Sequence, residues 1–121
     1  MLGLLKRRLV GAGTYSLEGL KACFQHEEAF RVEVVVGLLL CVLSPWVASN
    51  ILQWALLVSA ILLVLIVELL NSGIEAAIDR IGPEQHELSK RAKDIGSAAV
   101  MLSLVMLLLV WGSVIVSNFY Y

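Results

Sequence analysis

Half of this 121-residue chain carries no charge: Lys, Arg, Asp and Glu are all absent from residues 34–67 and from 95–121. A soluble helix keeps a polar face, so neither stretch suits the surface of an ordinary soluble domain. Cysteine is scarce, with only Cys23 and Cys41. The pair has no metal-ligand or redox spacing, which excludes a zinc site and a disulfide framework. Both read as structural, Cys41 as a small hydrophobe inside an apolar run. A Gly-Lys-Ser/Thr phosphate loop is also missing. Gly11-Ala-Gly-Thr-Tyr-Ser has the wrong ending and no strand before it. The apolar run at residues 2–5 is too short for a secretory signal and precedes the basic residues instead of following them. No internal repeat or disordered tail is visible, and the length allows one domain at most.

What remains is apolar. The hydrophobic share is 60% and the mean hydropathy is +0.88, against about 45–50% apolar residues in soluble domains. This predicts an all-α integral membrane protein with three transmembrane helices and an N-terminal amphipathic surface helix. In residues 1–28, Leu5, Leu9, Ala12, Leu20 and Cys23 can share one face, with an interruption expected near Gly11 and Gly13. The long apolar stretch exceeds one span, since about 20 residues cross the hydrocarbon. Pro45 and Ser49-Asn50 are expected to divide it into spans at 29–48 and 51–80, the second with a cytoplasmic extension. The head of Arg31 can snorkel outward from the first. Gly82-Pro83 stops the second span, 81–94 is a polar connection, and the third span runs over 95–118. Trp46, Trp54, Trp111, Phe119, Tyr120 and Tyr121 suit the interfacial belt. Every Lys and Arg then falls on one side, which the positive-inside rule makes the cytoplasm. The N-terminus is placed there and the C-terminus outside.

The chemistry concentrates at that side. Residues 68–80 read Glu-Leu-Leu-Asn-Ser-Gly-Ile-Glu-Ala-Ala-Ile-Asp-Arg, so Glu68, Asn71, Glu75 and Asp79 recur three or four apart and share a helix face. An Asp at the centre of a span costs roughly 2.5–3.5 kcal/mol on insertion scales, and less near the interface. A sequence that accepts this cost points to use of these groups; the plainer alternative is a solvated or oligomer-facing stripe outside the bilayer. Two further sets can converge on the stripe. One is His26-Glu27-Glu28 with Arg31 and Glu33; the other is Glu84-Gln85-His86-Glu87 with Lys90, Arg91, Lys93 and Asp94. Carboxylates from different helices can share a hard cation together with substrate phosphates. Neighbouring Lys and Arg can cover the remaining phosphate charge, and one carboxylate can take a hydroxyl proton. These are the parts of phosphoryl transfer. Plainer readings exist for some members: Glu33 as a surface ion pair, Lys90 and Asp94 as a brace for a helix start, His86 as a solvated loop residue. Gly73/Ala77, Ser72/Ala76 and Gly96/Ala99 read as close helix contacts.

Val67-Glu-Leu-Leu-Asn-Ser-Gly-Ile-Glu-Ala-Ala-Ile-Asp-Arg80 and Arg91-Ala-Lys-Asp-Ile-Gly-Ser-Ala-Ala-Val100 resemble the signatures of the small bacterial integral-membrane diacylglycerol kinases. Glu-Ala-Phe-Arg at 28–31 and Gly-Thr-Tyr-Ser at 13–16 agree, and the likeness covers essentially the whole chain. The resemblance implies a homotrimer in the bacterial inner membrane, with active sites shared between subunits. It implies ATP-dependent phosphorylation of diacylglycerol to phosphatidate at the cytoplasmic face, with Mg2+ accompanying ATP and no nucleic-acid partner. By motif, Glu68 looks like the general base, Asn71 its support, and Glu27 and Glu75 the metal ligands. Arg8, Tyr15, Glu27, Glu75, Glu84, Gln85, His86, Lys93 and Asp94 look like nucleotide residues. Arg8, Ser16, Arg31, Glu33, Glu68 and Ser97 would border the lipid. Glu28 stands where relatives commonly carry a small residue, so Glu27 and Glu28 compete for the ligand role; the motif selects Glu27. The turn at residues 48–54 lacks the charges that some relatives carry.

The same family includes undecaprenol kinases with the same mechanism, which is the first alternative. An ion-conducting or transport subunit using Glu68 is more remote, because residues 34–67 and 95–121 offer no polar path across the bilayer. A non-catalytic scaffold leaves the carboxylate stripe without a purpose.

Overall fold

The computed structural model describes residues 1–121 and is entirely helical: α1 Leu2–His26, α2 Glu28–Val47, α3 Ile51–Ile81 and α4 Glu87–Phe119. The last three are long and apolar enough to cross a membrane. At 1.5 Å per residue the 20 residues of α2 reach about 30 Å, one hydrocarbon thickness. α3 has 31 residues and α4 has 33. Each therefore outruns the hydrocarbon by more than two turns, and the charged residues are confined to 68–80 of α3 and 87–94 of α4.

The structure departs from the sequence-based expectation within α1 and at the start of α4, while the α2–α3 break falls where the spans 29–48 and 51–80 put it. α1 runs without a break through Gly11 and Gly13, and neither glycine has a positive φ. Pro45 does not divide the apolar stretch but lies inside α2. Proline removes the amide that would bond the Cys41 carbonyl, and the hydroxyl of Ser44 donates to that carbonyl instead, at 2.7 Å. The break falls at Ala48–Asn50, where the Asn50 side chain caps α3 by accepting from the Gln53 amide at 2.9 Å. Finally, α4 begins at Glu87, well before the expected start at residue 95. His86 Nδ1 accepts from the Leu88 amide at 3.1 Å, and Glu87–Arg91 and Lys90–Asp94 pair one turn apart. The connection shrinks to a short loop opened by Gly82, whose φ of 156° lies in the region that favours glycine.

Only 15 of 121 residues are buried, so the single chain has a thin core and an apolar exterior. Leu57, Ala60 and Ile61 of α3 pack against Trp111 and Val114 of α4. The indole of Trp111 donates to the Leu57 carbonyl at 3.2 Å, which satisfies a buried donor across the α3–α4 interface. α2 approaches α3 closely at Gly37, where an added Cβ would lie 2.9 Å from Ile61 Cγ2. At the end of the bundle away from Glu68, Asn118 Nδ2 donates to the Val47 carbonyl at 2.7 Å and to Gln53 Oε1 at 2.8 Å. Gln53 Nε2 returns a bond to Asn118 Oδ1 at 3.2 Å, and the Ser49 amide donates to Gln53 Oε1 at 2.8 Å. This clasp ties the ends of all three long helices together.

Candidate active site

Glu27 is the hinge between α1 and α2, with an extended backbone that closes one helix and opens the next. Its amide donates to the Cys23 carbonyl at 2.9 Å, and its carbonyl accepts from the Arg31 amide at 3.2 Å. The Arg31 guanidinium turns back and donates to the carbonyls of Phe24 and Gln25 at 2.9 and 3.0 Å. A cation on the open carbonyls at a helix C-terminus is favourable, so Arg31 fixes the angle at which α1 leaves the bundle. That is where the structure places this expected lipid neighbour.

The hinge seats α1 against α3. Cys23 donates to the Ser72 hydroxyl at 3.5 Å, and both residues are buried. Burial pushes the Cys23 thiol up; the Ser72 hydrogen bond opposes this, and the carboxylates of Glu27, Glu68 and Glu33 add to it. Four carboxylates gather near this junction. Glu68 is 5% exposed and interacts electrostatically with Glu75 and Glu27, while Glu33 interacts with Glu68. Asn71 is also buried, and its Nδ2 donates to Glu75 Oε1 at 3.3 Å. No Lys or Arg forms an ion pair with any of the four; the ion pairs are Lys90–Asp94, Arg91–Glu87 and Lys93–Asp79. Glu33 is therefore not the surface pair that one plain reading allowed, and its Oε2 is buried without a hydrogen-bond partner. Concentrated acid without an ion-pair partner is unfavourable, and an external cation relieves it.

A second feature lies one turn further along α3. Lys93 Nζ donates to Asp79 Oδ1 at 2.9 Å and is close enough to interact with Glu75. The pair is 43% and 68% exposed, so it contributes little stability but aims Lys93. Beside it an open basin of about 770 Å³ is lined by Asp79, Glu84, Gln85, His86, Lys93 and Asp94. That size suits a small-molecule ligand. A groove of about 640 Å³ between α1 and α3 includes Ser16, Cys23, His26, Glu27, Ser72 and Gly73. A third, apolar recess of about 240 Å³ runs from Glu33 past Val36 and Leu40 to Val64 and Leu107.

Glu27, Glu33, Glu68, Asn71 and Glu75 thus come together, with Lys93 beside Glu75. Glu84, Gln85, His86 and Asp94 form the basin with Lys93. Ser16 reaches the α1–α3 groove while its hydroxyl bonds the Ala12 carbonyl at 2.8 Å. The side chains of Arg8, Tyr15 and Ser97 are exposed and make no hydrogen bond within the chain. Glu28 is exposed, whereas Glu27 is half-buried at the hinge, which favours Glu27 as the inward-facing member of the pair. Asp79 lies on the stripe at i+4 from Glu75, and that spacing alone does not reveal its pairing with Lys93. Gly73 meets nothing within 4 Å, but Ser72 and Gly96 do make close contacts, with Cys23 and Asn71. Cys23 stands on the apolar face of residues 1–28, but nothing in the sequence marks it as the docking point of α1.

No group of three or more His, Cys, Asp or Glu side chains forms a closed metal cage. Glu27 and Glu75 suit a different arrangement, since Mg2+ is usually held by one or two carboxylates plus substrate phosphates.

Residues 14–115 match the family model described as prokaryotic diacylglycerol kinase. The diacylglycerol kinase of Escherichia coli K12 is 46% identical over 112 residues, covering 93% of this chain and 92% of its own length. That of Haemophilus influenzae is 44% identical over 107 residues, covering 88% and 91%. The Helicobacter pylori 26695 enzyme is 43% identical over 106 residues, covering 88% and 83%.

Proposed function

The chain belongs to the prokaryotic diacylglycerol kinase family, and from that premise we propose that it transfers the γ-phosphate of ATP to the hydroxyl of diacylglycerol, forming phosphatidate at the cytoplasmic face of the bacterial inner membrane. The observation that carries the site assignment is the buried Glu68 carboxylate, set among Glu27, Glu33 and Glu75 where α3 leaves the apolar zone.

Glu68 takes the hydroxyl proton as the lipid oxygen bonds the γ-phosphorus, and the bond from that phosphorus to the bridging oxygen of ADP breaks in line. Lys93, aimed by Asp79, faces the charge that spreads over the phosphoryl oxygens. Asn71, expected as the support of Glu68, instead orients Glu75, to which its amide donates. Glu27 and Glu75 would hold Mg2+ with the nucleotide, and the ion would neutralise phosphate charge when bound. Glu84, Gln85, His86 and Asp94 line the basin in which the nucleotide lies. The lipid headgroup meets Glu33 and Glu68, with Ser16, Arg31 and Ser97 at its margin. α1 lies on the membrane surface as an amphipathic helix.

Arg8 and Tyr15 have no partner within one chain, which supports a homotrimer in which a neighbour's α1 completes each nucleotide site. The test offers labelled γ-phosphate ATP and Mg2+ to the purified protein in mixed micelles, with diacylglycerol and undecaprenol supplied separately. Label in phosphatidate is expected. Label only in undecaprenyl phosphate moves the chain to the other branch of the family, and label in neither lipid from a folded protein refutes the proposal.

A further inference from the structure

Gly96 is buried on α4 opposite the polar stripe of α3. It is the one glycine whose added Cβ would meet a polar side-chain atom. That Cβ would collide with Asn71 Oδ1 and lie 3.3 Å from Asn71 Cγ and 3.9 Å from its Cβ. Asn71 is itself 8% exposed, so it has no open solvent into which to retreat. Its two amide atoms have unequal surroundings. Nδ2 donates to Glu75 Oε1 at 3.3 Å, whereas Oδ1 is buried with no hydrogen-bond partner and faces α4 at Gly96.

A buried acceptor left unpaired is unfavourable, so hydrogen bonding at Oδ1 does not explain why the amide sits there. Space does: the side chain occupies the volume that a Cβ at residue 96 would fill, and from that seat it reaches Glu75. We infer that Gly96 is a positioning residue for the reaction, its missing side chain giving Asn71 the place from which it holds Glu75. The inference rests on the assignment of Glu75 to the nucleotide end of the site. Glycine inside a helix is destabilising relative to alanine, so Gly96→Ala taken alone strengthens α4. Any loss in that variant must come from the collision.

The test uses the full chain in detergent micelles as wild type, Gly96→Ala, Asn71→Ala and the double variant. Gly112→Ala serves as a control on the same helix, where the added Cβ meets nothing within 4 Å. The first readout needs no activity. The Asn71 side-chain amide signal in a nitrogen-proton NMR spectrum is identified by its loss in Asn71→Ala. A bond to the Glu75 carboxylate moves the bonded proton downfield and widens the gap between the two amide protons beyond that of a free carboxamide; Gly96→Ala returns the gap toward the free value while Gly112→Ala leaves it. The second readout is kinetic. Gly96→Ala lowers kcat/KM for Mg-ATP about 10–100-fold, leaves the KM for diacylglycerol within about twofold, and adds nothing in the Asn71→Ala background.

An unchanged amide signal with unchanged kinetics in Gly96→Ala overturns the inference, as does an additive loss in the double variant or an equal loss in Gly112→Ala. If Asn71→Ala and Glu75→Gln are both fully active, the assignment of Glu75 fails and this inference fails with it. If those two are impaired while Gly96→Ala behaves as wild type, the inference about Gly96 alone is overturned.

Discussion

Replacing Asn118 with alanine should separate stability from catalysis. The side chain makes three hydrogen bonds: to the Val47 carbonyl at 2.7 Å, to Gln53 Oε1 at 2.8 Å, and from Gln53 Nε2 at 3.2 Å. Alanine removes all three and leaves a part-buried carbonyl and carboxamide short of partners. Hydrogen bonds of this kind contribute about 0.5–1.5 kcal/mol each, and polar contacts between membrane helices average about 0.6 kcal/mol. Three bonds at the membrane value give about 2 kcal/mol. The site is remote from that loss, because Gln53 and Glu68 lie fifteen residues apart on one helix, about 22 Å at 1.5 Å per residue. The assay is unfolding by a denaturing detergent in mixed micelles, with kcat measured on the same preparation below the transition. The expected result is a loss of about 2 kcal/mol in unfolding free energy with kcat within about twofold of wild type. A variant that unfolds normally but has lost turnover would refute the division between a structural clasp at Gln53 and Asn118 and a proposed catalytic end at Glu68.

Lys93→Met should lower kcat about 10²–10³-fold, the usual loss when a preorganised donor to developing charge is removed. Asp79→Asn, which removes only the aim of that lysine, should raise the KM for ATP by less than tenfold, and equal damage from both would make the pair structural. Cys23 should react with thiolate-specific reagents more slowly than a free thiol at every pH from about 7 to 9, because a raised pKa leaves less thiolate at a given pH. In a Cys41→Ala background the labelling curve should rise at higher pH than that of a model thiol, and a midpoint at or below the ordinary value would contradict the buried junction with Ser72.

Much of this was legible because membrane insertion writes itself plainly in sequence. Charge-free runs locate the three long helices, and the 3.6-residue period puts Glu68, Asn71, Glu75 and Asp79 on one face of α3. Local substitutions of one hydrogen bond for another were harder to see. Pro45 looks like a break until the Ser44 hydroxyl is found on the freed Cys41 carbonyl. Two glycines look like an interruption in α1, yet each costs only about 1 kcal/mol and neither adopts a non-helical φ. The Lys90–Asp94 spacing did hint at a helix start, but the His86 cap and the Glu87–Arg91 pair together carry α4 back to Glu87. Ser72 and Gly96 read as contact points between helices, but the side chains that meet them were not legible. Arg31 on the end of α1, Cys23 on Ser72 and Asn71 against Gly96 depend on which faces meet, and the spacing within one helix does not contain that.

The most direct measurement is transfer of labelled γ-phosphate from Mg-ATP to diacylglycerol by wild type and by Glu68→Gln, both confirmed as folded. Glutamine keeps the size and removes the proton acceptor, so phosphatidate formation should fall by about 10²–10⁴-fold, the contribution of a positioned base. The KM for ATP should change little, because Glu68 is not assigned to the nucleotide. Near-normal turnover in Glu68→Gln would contradict the claim that this buried carboxylate accepts the lipid proton.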